Sequence, residues 1–205
     1  MSGYISGSIE KYLEDLSGRK IVPGGGSAAA LTAALGAALN LMVINFSCGK
    51  GGKEDLSEQL RPAKEAQEES LKKLSRYVDR DCEVFTELMA ALKEKAPSQE
   101  KFREAALVPM EVCGECRLSM DISRKLMDGA NMNLVSDIGC AANMIKAAFL
   151  SASHNVSVNL KYIKDAEFVG RAEKDIFSIA VEMEEKDREI SAMIRRHMAQ
   201  RGADG

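Results

Sequence analysis

Pro23-Gly24-Gly25-Gly26-Ser27, followed at once by an alanine run from Ala28, is the stretch of this sequence best suited to hold a ligand. Consecutive glycines let backbone N–H groups approach a bound molecule with no Cβ in the way. A helix starting there adds positive potential, and the combination suits a carboxylate, a phosphate or an electron-rich ring. The Gly-Lys-Ser/Thr ending of a P-loop is missing and no strand pattern precedes the glycines, which excludes that loop and the dinucleotide fingerprint. On geometry alone the stretch is either a binding loop or a tight turn that packs two helices.

Asp137 is the second feature that could do chemistry. It stands on a segment with no other charge until Lys146, interrupted by Asn133, Ser136, Asn143, Asn155 and Asn159. Buried polar groups need partners, and a carboxylate among apolar residues is a candidate general acid/base with a tunable proton affinity. The alternative is a structural Asp at a helix start. Asp137 and Asn155 are 18 residues apart, which is five helical turns, so they share a face yet stand about 27 Å apart on a straight helix. They cannot touch one reacting atom together. Either they serve opposite ends of a long ligand, or one is structural, or one acts across a dimer contact.

Other candidates are weaker. Cys113-Gly114-Glu115-Cys116 falls inside a helical pattern with no second Cys or His pair at metal-ligand spacing, which favours buried thiols over zinc or redox chemistry. His154 and His197 have no recognisable nucleophile partner, so a catalytic triad is unsupported. Lys50, Lys53, Arg61 and Lys64 are diluted by Glu54, Asp55 and Glu58, the pattern of a solvated face.

The elements that must position these residues read as helices. Of 205 residues 45% are hydrophobic and only 5% aromatic, with 11 Met, no Trp and a net charge of -3. That is an ordinary globular composition of one domain, 1–205, without the basic balance of a general nucleic-acid binder. Few rings and many Ala, Met and Leu favour close-packed helices over a sheet sandwich. Five cysteines and no basic-then-apolar leader predict a cytoplasmic protein. Residues 21–49 carry no charge, yet they are mostly Ala with Thr32, Asn40, Asn45 and Ser47. They read as a protein-buried helix rather than a membrane span.

Spacing predicts helices over about 8–16, 28–46 with Ser27 as N-cap, 60–95 entered or kinked at Pro62, 99–127 kinked at Pro109, 133–162, and 166–198. The expected fold is an all-α bundle of about six helices around the Ala-rich one. Two almost uncharged helices in so short a chain predict a homodimer.

The Pro-Gly-Gly-Gly-Ser-Ala-Ala opening, Val78-Asp79-Arg80-Asp81 with Phe85, Val108-Pro109, Asn133-x-x-Ser136-Asp137 and Asn155-x-x-x-Asn159-Leu160 occur in this order. Together they resemble the formimidoyltetrahydrofolate cyclodeaminase/methenyltetrahydrofolate cyclohydrolase family, over nearly the whole chain. The resemblance implies a dimerising helical bundle that binds a reduced folate, with no metal and no cofactor beyond tetrahydrofolate as substrate carrier. Any formiminotransferase step is expected to belong to another protein. The implied activity is cyclodeamination of 5-formimidoyltetrahydrofolate, with methenyltetrahydrofolate cyclohydrolysis as the alternative and a non-catalytic helical interaction module as the rival of another class. Asp137 is expected as acid/base or cation-stabilising group, with Asp81 as the second carboxylate. Gly24, Gly25, Gly26 and Ser27 are expected to make backbone contacts at the reacting end, Ser136 to bind substrate, Asn155 and Asn159 to supply polar contacts from the same or the partner subunit, and Lys50 and Lys53 to meet the tail of a possibly polyglutamylated folate. Neither nucleic acid nor membrane is expected as a partner.

Overall fold

The apolar spacing becomes six α-helices in the computed structural model, which describes residues 3–48, 54–95 and 98–203. They are α1 (Ile9–Ser17), α2 (Gly25–Ser47), α3 (Glu54–Lys93), α4 (Gln99–Gly129), α5 (Val135–Leu160) and α6 (Ala166–Ala203). Single 3-10 turns, Tyr4–Ser6 and Met132–Leu134, precede α1 and α5, and no strand occurs among the described residues.

Local chemistry sets the ends. Ser8 caps α1, its hydroxyl accepting from the Lys11 N–H at 3.1 Å, and Ser98 caps α4 in the same way toward Lys101. Pro97, expected beside that cap, lies outside the described residues. The expected start of α2 is corrected: the helix begins at Gly25 with Gly24 at the N-cap, so Ser27 sits in the first turn. First-turn N–H groups have no helical acceptor in any helix. Here the Ser27 N–H finds one outside, the carboxylate of Asp81 on α3 at 2.8 Å. That tertiary bond draws Gly25 and Gly26 into the helix against their low propensity.

Both prolines lie inside continuous helices, Pro62 in α3 and Pro109 in α4. Pro109 has no N–H to offer the carbonyl of Ala105. The side-chain amide of Asn159, reaching across from α5, donates to that oxygen at 2.7 Å.

The core forms where α2 lies against α3, α4 and α5. Ala29, Ala30, Ala33 and Ala37 are buried, and this thin helix lets its neighbours come close. At Gly36 a Cβ would lie 2.7 Å from Ile145 Cγ1 and 3.1 Å from the Ala141 carbonyl, so the α2–α5 crossing requires glycine. The two helices run antiparallel: Gly25 faces Asn155, Gly36 faces Ile145, and the Ser47 hydroxyl accepts from the Asn131 N–H. Ile138, Ile145, Phe149 and Val156 fill the inner side of α5, against Val112, Cys113, Cys116 and Met120 of α4. Helix α6 closes the bundle with Ile179, Met183 and Ile190, and its Asp187 and Glu184 pair with Lys146 at 2.7 and 2.9 Å.

One polar group lies inside this core. The Asn40 amide donates to Gln67 Oε1 at 3.1 Å and to the Ser119 carbonyl at 2.9 Å, Gln67 donates to the Ser119 hydroxyl, and the Ser123 hydroxyl donates to Asn40 Oδ1. All four residues are fully buried. Each amide is satisfied, so the network joins α2, α3 and α4 without a desolvation penalty left standing.

The charge-free segment behaves as a protein-buried helix. Both α2 and the stretch Met132–Leu160 are long and apolar enough to cross a bilayer, but 61% of the α2 window is buried inside the protein, against 39% for the second.

Candidate active site at the start of α2

Three helices converge on the first turn of α2. Gly25 is exposed and Gly26 buried in this turn, where the N–H groups of a helix have no helical acceptor. Asp81 flanks them from α3, and it leaves no room for a side chain at Gly26, where a Cβ would fall 2.1 Å from its Oδ1. Asn155 flanks Gly25 from α5, its amide 3.7 Å from where a Cβ would sit, and it is anchored by donation to the Ser151 carbonyl at 2.9 Å. From α1, the Tyr12 hydroxyl meets the Ser27 hydroxyl at 3.1 Å, and both residues are buried.

Burial governs the electrostatics. It raises the Asp81 carboxyl above its ordinary value, and the N–H of Ser27 offsets part of that rise. Burial also raises Tyr12, and it pushes the neighbouring Cys82 thiol up to about 11. At neutral pH the phenol and thiol are therefore uncharged, which leaves Asp81 as the group of the cluster able to act as an acid or base. A carboxylate made more basic by its site can take a proton and face a developing cation. A cleft of about 760 Å³ between the amino-terminal segment and α3 reaches Cys82, the chain neighbour of Asp81.

The remaining expected residues lie elsewhere. Ser136 is exposed and Asp137 half-buried in the first turn of α5, at the opposite end of that helix from Asn155. Within one protomer Asp137 does not join the glycines. The amide nitrogen of Asn159 donates to the Ala105 carbonyl. Lys50 and Lys53 lie outside the described residues. Cys113 and Cys116 are buried thiols raised by desolvation.

Sequence reasoning passed over Tyr12 and Cys82. Tyr12 sits in the apolar stripe of α1, where its spacing is that of any core residue. Cys82 shows no pattern in sequence; only its place next to Asp81 could have drawn notice.

Comparison with known proteins adds the lineage. The family model for formiminotransferase-cyclodeaminase matches residues 8–177. The chain belongs to that family. Among relatives, the methenyltetrahydrofolate cyclohydrolase of Methylorubrum extorquens is 32% identical over 186 residues, covering 85% of this chain and 89% of the relative. The formimidoyltransferase-cyclodeaminase of Gallus gallus is 29% identical over 209 residues, covering 96% of this chain but 38% of the longer relative. Among solved structures, the formiminotetrahydrofolate cyclodeaminase of Thermotoga maritima is 31% identical with a TM-score of 0.87, covering 93% of this chain and 96% of that one. Similarity of this extent over both chains bears out the all-helical fold and the family expected from the motifs.

Proposed function

We propose that this protein is a folate one-carbon enzyme whose main activity is the cyclodeamination of 5-formimidoyltetrahydrofolate to 5,10-methenyltetrahydrofolate and ammonia. The observation that carries the reading is Asp81, a half-buried carboxylate that accepts from the Ser27 N–H in the first turn of α2 and packs against Gly26. In the reaction, N10 attacks the protonated formimidoyl carbon on N5. Asp81 takes the proton from N10 and returns it to the amino group of the intermediate, so ammonia leaves with the proton N10 lost. The product is a cation, and the ionised Asp81 stabilises it. Gly25 and Gly26 hold the reacting end of the folate through their N–H groups, and Asn155 orients it. No metal takes part.

Cyclohydrolysis is the second reading, favoured by the 32% identity to a methenyltetrahydrofolate cyclohydrolase over most of both chains. The same base takes a proton from water as it attacks the bridging carbon and returns it to N5 as the C–N5 bond breaks, while the hydroxyl of the adduct loses its proton to solvent and becomes the formyl oxygen of 10-formyltetrahydrofolate. Turnover of both substrates by purified protein decides between them. Cyclodeaminase turnover at least tenfold faster supports the first reading, the reverse ratio the second, and no turnover of either overturns both.

The enzyme acts as a cytoplasmic homodimer in this proposal. Every fully exposed position of α2 and α5, including Leu35, Phe46, Leu150 and Val158, lacks a formal charge, a surface suited to a second copy of itself. Pairing α2 antiparallel to its own copy sets opposite helix ends side by side. Because α5 runs antiparallel to α2, this brings Asp137 of the partner subunit toward the glycines, where it adds negative charge for the methenyl cation.

A further inference from the structure

Resting on the reading of Asp81 and the glycines as the site, we infer that Asp79 is a positioning residue: its carboxylate seats the amino-terminal turn at Gly3 and Tyr4, and the phenol of that tyrosine holds the loop from which the glycines start. Asp79 and Asp81 lie two positions apart on α3, so their side chains leave the helix about 200° apart. Asp81 meets the first turn of α2. Asp79 meets the chain ahead of α1: it accepts the Tyr4 N–H at 2.5 Å, and a Cβ at Gly3 would fall 2.1 Å from its Oδ2. One short stretch of α3 thereby grips two separate segments.

What Tyr4 does from that seat is specific to its hydroxyl, which donates to the Asp15 carboxylate at 3.1 Å and to the Val22 carbonyl at 3.3 Å. Asp15 is buried and paired with Lys11 and Lys20 at 2.9 and 2.7 Å, which makes it a fixed anchor for the phenol. The second acceptor carries the consequence. Residues 19–23 belong to no helix, and among the described residues the bond from Tyr4 is the hydrogen bond that ties their backbone to another element. Val22 stands three residues before Gly25. Asp81 holds the glycine turn at the Ser27 N–H, and Tyr4 holds the chain as it enters that turn. The Tyr4 ring also packs edge-on to Tyr12, with centroids 5.4 Å apart. A phenylalanine would keep that packing and release Val22. Tyr4, Asp15, Lys20, Val22 and Asp79 all line the cleft of about 760 Å³, so this linkage forms one wall of it.

The test compares Tyr4→Phe, Asp79→Ala, Asp79→Asn and the double variant Tyr4→Phe/Asp79→Ala, each checked for native helicity. The amide NMR signals of Gly24, Gly25 and Gly26 are followed in the unliganded protein, and kcat and KM in turnover. Loss of either link frees the loop, so Tyr4→Phe and Asp79→Ala are expected to shift the glycine amides and to raise KM about fivefold, the worth of one hydrogen bond. The value of kcat should stay within about twofold, because Asp81 keeps its own bond to Ser27. Asp79→Asn retains an acceptor oxygen for the Tyr4 N–H and is expected to recover most of the loss. The two residues act in series, so the double variant is expected to match the worse single variant. Unmoved glycine amides in Tyr4→Phe, an unchanged KM in an active enzyme, or losses that multiply in the double variant overturn the inference. The NMR arm needs no substrate, so it decides the roles of Asp79 and Tyr4 even if Asp81→Asn retains turnover and the catalytic reading of the site falls.

Discussion

The amide of Asn159 in α5 donates to the carbonyl of Ala105 in α4 at 2.7 Å, the oxygen that Pro109 leaves without a helical donor. A helix breaker in α4 and a polar side chain on the neighbouring α5 thus complete each other. Asn159→Ala should destabilise the fold by about 1–3 kcal/mol, because a buried acceptor loses its partner, while folate affinity changes little. In a Pro109→Ala background the new backbone N–H serves Ala105, and the cost of Asn159→Ala should shrink. Denaturant melts of the four proteins measure the coupling, and a cost independent of residue 109 contradicts it.

Gly25 and Gly26 should respond differently to added bulk. At Gly26 even a methyl group would fall 2.1 Å from Asp81 Oδ1, so Gly26→Ala should displace the carboxylate and lower kcat by about a hundredfold, in the range of a lost general base. Gly25 has only ordinary contact distances, 3.7 Å to the Asn155 amide. Gly25→Val should keep helicity but weaken folate binding at least tenfold, about 1.4 kcal/mol, because the branched side chain occupies the ligand's approach. Circular dichroism and equilibrium titration with methenyltetrahydrofolate check both, and unchanged affinity in Gly25→Val removes the loop from the site.

Asp81→Asn should abolish turnover and yet stabilise the protein near neutral pH. The folded-state value of Asp81 is raised by burial, so the folded protein favours the protonated form. Its contribution to stability is complete below the unfolded carboxyl's value and is lost as pH rises through the folded one. Asparagine, neutral throughout, escapes that loss. The melting temperature of the variant should exceed that of wild type at pH 7, with the gap closing as the pH is lowered toward 4, near the ordinary value of 3.8. A wild type more stable than the variant at pH 7 would contradict the burial argument.

A composite site has a genetic signature. Asp137→Asn and Gly25→Val subunits should each be nearly inactive, but mixed and reassembled they should recover up to about a quarter of wild-type activity. The arithmetic is that half the dimers are mixed and one of their two sites receives neither lesion. Sites contained within one protomer give no recovery, since every site then carries one lesion.

The fold was largely legible because its signals are local. The alanine run of α2 and the apolar period of the longer helices depend on neighbours in sequence. The start of α2 was misplaced because the residue that draws Gly25 and Gly26 into the helix is Asp81, 54 positions from Ser27. The groupings were not legible from the motifs: Asp81 joins the glycines, Asp137 stands at the far end of α5, and the Asn159 amide reaches the Ala105 carbonyl that Pro109 leaves open. Tyr12 was invisible because a phenol that meets a buried serine hydroxyl has the same helical spacing as a ring that only fills space.

The buried network of Asn40, Gln67, Ser119 and Ser123 constrains how this sequence can drift. Any single change to an apolar residue strands a partner in the core, at a cost of about 1–3 kcal/mol, whereas replacing the whole set by well-packed apolar side chains can be nearly neutral. The two viable states are separated by intermediates that each carry an unpaired amide or hydroxyl. These four positions, scattered over 84 residues of chain, are therefore bound by epistasis: they can change together, but a path of single substitutions between the polar and apolar solutions runs through a valley.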